Sequence, residues 1–256
     1  MPARPRSSWL VYLLIGMAAG VLSGLFGVGG GILIVPALLA FAGFDQRLAA
    51  GTSLAAIIPM SLSGVVGYAL GGHVDVLAAL LLVAGSVGGA QLGSVLLSRL
   101  PKRVLQLCFI VFILVVIVSL FLVVPARDSD IGMTPLLGAA LVLLGLVTGV
   151  LSGILGIGGG IIIVPVLIMV FGASDLVAKG TSLLMMVPTA LSGTIGNVVR
   201  RTVDVPAAAV VGVSAALTTQ LGVLGAQALS PRAASIVFAV FLMGIAVFQI
   251  RRFRRG

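Results

Sequence analysis

The sequence predicts an all-α polytopic membrane protein made of two inverted repeats, and three observations carry that prediction. The first is composition. Of 256 residues, 60% are hydrophobic and only 8% are charged, with a mean hydropathy of +1.33. A water-soluble surface needs far more charge, and apolar runs long enough to cross about 30 Å of hydrocarbon recur along the whole chain. The second is an internal repeat. LSGLFGVGGGILIVP at Leu22–Pro36 returns 129 residues later as LSGILGIGGGIIIVP at Leu151–Pro165. The same offset maps Gly51-Thr52-Ser53 onto Gly180-Thr181-Ser182, Pro59 onto Pro188, Leu62-Ser63-Gly64 onto Leu191-Ser192-Gly193, and Gln91 onto Gln220. The third is the placement of basic residues, which decides how the glycine-bearing segments cross.

Charges and turn residues divide the chain into eight apolar blocks, roughly 10–43, 50–71, 75–98, 104–124, 135–172, 179–199, 204–229 and 233–250. The first four form a repeat over residues 1–124. A short connection follows at 125–134, with Arg127, Asp128 and Asp130, and the last four blocks form a second repeat over residues 135–256. The connection is too short to separate two domains, so the halves make one fused transport domain. Blocks one and five exceed the length of about 20 residues that a single span needs. Each carries a glycine cluster at its middle and then a proline, Pro36 or Pro165. Both therefore read as two shorter helices joined at Gly27–Gly31 and Gly156–Gly160, where glycine permits a turn with positive φ. Non-helical backbone at that depth is tolerated only inside protein or beside a wet cavity. Blocks two and six open on Gly-Thr-Ser, and Pro59 and Pro188 are expected to kink them. Blocks three and seven carry Gln91 and Gln220. Block four holds Cys108, the one cysteine, which reads as a small buried hydrophobe. Block eight ends in Arg251-Arg252-Phe253-Arg254-Arg255, an anchor for anionic lipid. In all, five helical pieces per repeat and about ten in total are expected.

Charge decides the path of the long blocks. If each crossed once, six basic residues would lie outside and nine inside. If each is a hairpin returning to its starting side, twelve lie inside, and only Arg127, Lys179 and Arg232 lie outside. The positive-inside rule favours hairpins. Each repeat then makes an odd number of net crossings, so the second is inverted and both termini are cytoplasmic. The net charge of +9 is accounted for by this orientation and by lipid contact, not by nucleic acid. Gly16, Gly20 and Gly24, with Gly145, Gly149 and Gly153 at the same offset, form stripes that let membrane helices pack backbone to backbone.

Paired broken helices in matching positions point to a transport site at the repeat interface. Gly29, Gly30, Gly31 and Gly158, Gly159, Gly160 each precede an apolar helix, and the free N–H groups of a helix start favour an anion. Close helix crossing is the alternative use of these glycines. Thr52, Ser53, Thr181 and Ser182 either cap helices or complete an anion cage. Gln91 and Gln220 need a partner in hydrocarbon: an interhelical bond or a substrate. Asn197 stands opposite Tyr68 and is less defined. Glutamate is absent, and all six aspartates fall at segment ends, so a buried carboxylate relay is not expected. The lone His73 also sits at a segment end. No metal cluster, Ser–His or Cys–His pair, or nucleotide loop is visible, so no cofactor and no enzymatic activity are expected.

These residues give the chain a close resemblance to the sulfite exporter TauE/SafE family, the toluene-sulfonate uptake permeases. The match is carried by LSGLFGVGGGILIVP with GTSLAAIIPMSLSG, and by LSGILGIGGGIIIVP with GTSLLMMVPTALSG. The resemblance implies an inner-membrane carrier of small sulfur-containing anions, with Gly29–Gly31, Thr52, Ser53, Gly158–Gly160, Thr181 and Ser182 at its site. Gln91 and Gln220 are added from their place in the apolar blocks. The expected partners are a small anion, the lipid bilayer and a second copy in a homodimer. An anion channel and a non-transporting membrane scaffold are the alternative functions.

Overall fold

The computed structural model describes residues 7–122 and 134–255. Arg4, Arg6, Arg127, Asp128 and Asp130 lie outside the described residues. Every regular element described is helical: α1 (Ser7–Phe26), α2 (Gly31–Phe41), α3 (Gln46–Leu70), α4 (Val76–Arg99), α5 (Lys102–Leu122), α6 (Pro135–Leu155), α7 (Gly160–Met169), α8 (Asp175–Val199), α9 (Val205–Ala228) and α10 (Pro231–Arg255). Helices α6 to α10 follow the order of α1 to α5. Among the described residues, seven helices are long and apolar enough to cross a membrane. Large apolar side chains such as Leu80, Val115 and Leu217 stand exposed on their outer faces, as lipid contact requires. Together with the sequence, this makes the chain a multi-pass membrane protein.

Helices α1 and α2 form a hairpin. After Phe26 the chain turns back, so that a methyl placed on Gly30 would lie 2.9 Å from the carbonyl oxygen of Ala19, two turns earlier. Past the end of α2, Phe44 packs edge-on against Tyr12, near the start of α1, with ring centroids 6.2 Å apart. Helix α2 has 11 residues and at 1.5 Å per residue reaches only about half-way through the bilayer. The second copy repeats the turn, with Gly159 beside the carbonyl of Thr148.

Close contacts fix the helix directions. Gly16, Gly20 and Gly24 of α1 meet Val211, Ala215 and Thr219 of α9 in rising order, so these helices run parallel. Gly145, Gly149 and Gly153 of α6 meet Leu82, Ser86 and Ala90 of α4 in the same way. Side chains at these glycines would collide with the facing backbone, so the stripes serve backbone-to-backbone packing and the dispersion contacts it allows. Pro59 meets Gly212 while Gly67 meets Gln220, so α3 runs parallel to α9; Ser86 meets Thr189 while Ser94 meets Gly196, so α4 runs parallel to α8. Gly64 meets Leu183 while Gly193 meets Leu54, so α3 and α8 run antiparallel. Helices α1, α3 and α9 therefore point one way and α4, α6 and α8 the other. Helix α6 opposes its counterpart α1, and each repeat packs chiefly on the other.

The helix ends separate the charges. Arg47 Nη2 donates to the carbonyl of Leu100 at 2.8 Å, and Lys102 pairs with Asp45 at 3.2 Å. The starts of α3 and α5 thus share one face with the ends of α4, α8 and α10, called here the basic face. The opposite face carries the starts of α4, α8 and α10.

Two sequence expectations need correction. Cys108 is exposed on the outer side of α5 instead of buried. Asp175 and Asp204 begin helices yet are only 5% and 8% exposed: the α3–α4 turn packs over the start of α8, and α3 packs at the start of α9. Pro59 and Pro188 lie inside α3 and α8.

Candidate functional site

The two glycine breaks meet. A methyl on Gly31, the first residue of α2, would lie 2.5 Å from the carbonyl oxygen of Gly156 in the other repeat. A methyl on Gly160, the first residue of α7, would lie 2.6 Å from the carbonyl oxygen of Gly27. Each half-helix start therefore touches the turn of its counterpart. Such an approach requires glycine at the two half-helix starts. Gly30 and Gly159, the N-cap residues, have φ of 61° and 86°, values costly for a residue with a Cβ. Gly29, Gly30, Gly31, Gly158, Gly159 and Gly160 are all buried.

Helix capping sets these two starts apart. In α3, α4, α6, α8 and α9 the N-cap side chain (Asp45, Asp75, Thr134, Ser174 and Asp204) accepts a hydrogen bond from the first turn. Helices α2 and α7 have glycine N-caps and no side-chain cap. Among the described residues, the amide groups of Gly29, Gly30, Gly31 and of Gly158, Gly159, Gly160 donate to no acceptor. Unpaired buried N–H groups are rare and costly. Two sets of them, each at a positive helix end, converge on one junction.

Four hydroxyls bond across the repeats, two of them at the junction. Ser53 Oγ donates to the Gly156 carbonyl at 2.7 Å, and Ser182 Oγ donates to the Gly27 carbonyl at 3.0 Å. Thr52 Oγ1 accepts the amide of Asp204 at 2.9 Å, and Thr181 Oγ1 accepts the amide of Asp75 at 2.9 Å. The two serine bonds hold the break carbonyls of Gly156 and Gly27 on hydroxyl donors of the other repeat. A hydroxyl has a single proton to donate, and those of Ser53 and Ser182 are engaged by the breaks.

The glutamines play a related part. Gln91 Nε2 donates to the Ser192 carbonyl at 2.6 Å, and Gln220 Nε2 donates to the Ser63 carbonyl at 2.6 Å. Both brace one repeat against the other along the helix shafts, and none of these bonds reaches the glycine breaks. Tyr68 donates to the Gly24 carbonyl at 2.7 Å. Its counterpart Asn197 is fully buried, and its side-chain amide has no partner among the described residues.

Sequence reading missed Met186, which with Ile57 and Met60 fills the junction. Its Sδ would lie 2.6 Å from a methyl on Gly29 and 3.1 Å from one on Gly158, and its Cε abuts Gly160. Ser61 Oγ donates to its sulfur at 3.8 Å. The offset pairs Met186 with Ile57 and Ser61 with Ala190; Ile57 also packs on Gly158, whereas Met186 reaches three of the glycines and carries a thioether held by a serine. Attention to identities between the copies passes over such differences. Ser23 and Ser152, inside the repeated motif, were also missed. Their hydroxyls are fully buried one turn before each break, with no partner among the described residues.

Comparison with known proteins shows the family of the chain. The sequence model described as sulfite exporter TauE/SafE matches residues 1–120 and 141–256. A probable membrane transporter protein, YunE of Bacillus subtilis (strain 168), is 27% identical over 215 residues, covering 75% of this chain and 79% of that protein. Probable membrane transporter protein MJ0441 of Methanocaldococcus jannaschii is 25% identical over 259 residues, covering 93% and 94%. A probable membrane transporter protein of Xylella fastidiosa (strain 9a5c) is 32% identical over 176 residues, covering 67% and 65%. No solved structure gives a significant match. With both halves matched and the helices in place, the chain belongs to the sulfite exporter TauE/SafE family of membrane transporters.

Proposed function

We propose that the protein is a secondary transporter that moves a small sulfur-containing anion, such as sulfite or an organosulfonate, across the inner membrane by alternating access. The observation that carries this reading is the pair of uncapped, buried helix starts meeting at the repeat junction. Backbone amides of Gly29–Gly31 and Gly158–Gly160 would hold the oxyanion. Thr52, Ser53, Thr181 and Ser182 would shape the cage, and Gln91 and Gln220 would brace it. Neutral donors at positive helix ends bind an anion without the deep trap of a buried salt bridge, which suits release.

In the conformation described, Met186 occupies the junction. Its thioether is flexible, and its departure would open the cage to the anion. A plugged junction supports a carrier over an open pore. The crossed contacts give the rocking unit. Each half-helix is tied to the opposite repeat through Ser53 or Ser182, so relative motion of the halves would reshape the cage from both sides. On this reading the basic face is cytoplasmic, with both termini there.

The test is uptake by purified protein in liposomes, with sulfite, sulfate, sulfoacetate, taurine and acetate as probes. The reading expects saturable movement of at least one sulfur oxyanion in preference to acetate. Folded protein that moves none of them defeats it.

A further inference from the structure

Helix α8 carries a buried ion pair that the oxyanion cage does not use. Lys179 Nζ lies 2.8 Å from Asp175 Oδ2, one turn apart, with the side chains 4% and 6% exposed. The stem of Lys179 lies against the first glycine break. A methyl on Gly27 would be 2.6 Å from Lys179 Cα and Cβ, and 2.8 Å from Cγ. Three residues further along α8, Ser182 holds the Gly27 carbonyl at 3.0 Å. At 1.5 Å per residue, Lys179 therefore sits about 4.5 Å along the axis from that bond. Asp175 lies beyond it, toward the opposite face.

The second copy of this arrangement has no charge. The offset puts Gln46 at the position of Asp175 and Ala50 at that of Lys179, and Ala50 packs on Gly156 as Lys179 packs on Gly27. A buried ion pair is a poor source of stability compared with apolar packing. One kept in a single copy, against the substrate cage, distinguishes the two faces of an otherwise symmetric path.

We propose that Asp175 and Lys179 form the coupling site through which a proton moves with the anion, a proposal that rests on the carrier reading above. An anion arriving from the opposite face draws Lys179 Nζ from Asp175. The carboxylate, buried and without its counter-charge, binds a proton from water on that face, forming one O–H bond. A charge left alone in a buried site neutralises in this way. Rocking of the halves carries the anion past the junction and opens Asp175 to water from the basic face. The proton leaves Asp175 to that water, and the ion pair re-forms. One proton accompanies each anion, and nothing is oxidised or reduced.

Other ionisable groups near the pair are few. From α3, Tyr68 faces it, with its Cβ beside Gly180. From the turn between α3 and α4, the His73 carbonyl meets Gly180, and the Asp75 amide bonds to Thr181. Helices α6 and α7 contain no ionisable side chain.

The experiment uses full-length protein in liposomes with a pH dye trapped inside and sulfite and sulfoacetate as probes. Sulfoacetate keeps constant charge above about pH 6, as its carboxyl titrates near the usual range. In wild type, acid on the source side should raise sulfoacetate flux several-fold, and the dye should report protons entering with it. In Asp175→Asn the ratio of flux with and without the gradient should fall to one. Asp175→Asn/Lys179→Met removes both charges together and should give the same ratio, so the result does not depend on an unpaired ammonium being tolerated. His73→Asn should keep the wild-type ratio. Wild-type flux indifferent to the gradient, or variants at positions 175 and 179 that keep the wild-type ratio, would overturn the coupling role alone. Absence of any flux in wild type would overturn the carrier reading and this proposal with it.

Discussion

Substituting Gly31 by alanine tests whether the two breaks meet backbone to backbone. The new methyl would lie 2.5 Å from the Gly156 oxygen, 2.6 Å from Ile157 Cα and 3.1 Å from the Ile157 carbonyl carbon. All three are backbone atoms, so no side chain can rotate away, and the repeats must part by several tenths of an ångström. Overpacking of this kind costs about 1–3 kcal/mol. Alanine in a helix returns up to about 1 kcal/mol relative to glycine. The net loss then falls within about 0–3 kcal/mol and centres near 1.5 kcal/mol, or a melting temperature lower by about 3–6 °C for a chain of this size. Gly88→Ala is the control. It lies in α4 with nothing within 4 Å of the new methyl, so it should leave stability unchanged or slightly raised. The assay is thermal unfolding in detergent, paired with radiolabelled sulfite uptake in liposomes. Gly31→Ala should lose both stability and most transport. If it behaves like Gly88→Ala in both, the junction is not built as described.

Four further outcomes follow from the same geometry. Met186→Ala removes the plug, so uptake of bulky organosulfonates should rise relative to sulfite, at a stability cost of about 2–5 kcal/mol for a fully buried methionine; an unchanged substrate ratio would count against a gating side chain. Ser53→Ala and Ser182→Ala each leave a buried carbonyl unpaired, which costs about 1–3 kcal/mol, and both should lower the melting temperature by similar amounts; a loss confined to one copy would show that the two ties are not equivalent. A reporter inserted between Arg99 and Lys102 should read as cytoplasmic, whereas an external signal would reverse the assigned orientation. Burial raises the carboxyl of Asp45, but hydrogen bonds from the Leu48 amide, Lys102 and the Arg47 amide, with the charge of Lys102, outweigh it and hold the group below its ordinary value. Its contribution is therefore fully present above about pH 4 and lost as pH falls through the folded value; Asp45→Asn should flatten that acid-side loss in a melting series.

Much of the architecture could be read before any coordinates, for a physical reason. A bilayer forces long apolar helices, so composition gave the class. The repeat gave the symmetry, because Gly27–Gly31 and Gly156–Gly160 recur with their flanks. The hairpin course of α1 and α2 followed from where Arg47, Arg99, Lys102 and Arg103 had to lie, and the contacts of Phe44 and Lys102 agree with it. Partner choice was less legible. A hydroxyl such as Ser53 offers one proton, and sequence cannot say whether a ligand or the Gly156 carbonyl takes it. The same holds for Gln91, whose partner is the Ser192 carbonyl. Burial of Asp175 and Lys179 was hidden because a helix start in sequence looks like a surface, whereas the α3–α4 turn overhangs it. Met186 escaped notice because methionine in an apolar run carries no pattern, and only its place against three glycines makes it conspicuous.

The most direct measurement is a crystal structure of the protein soaked with selenite, a heavier analogue of sulfite whose selenium scatters anomalously. The account predicts one strong anomalous peak between Gly29–Gly31 and Gly158–Gly160, with Met186 displaced from the position it holds here. Selenite bound instead among exposed arginines of the basic face, with the junction still filled by Met186, would contradict it.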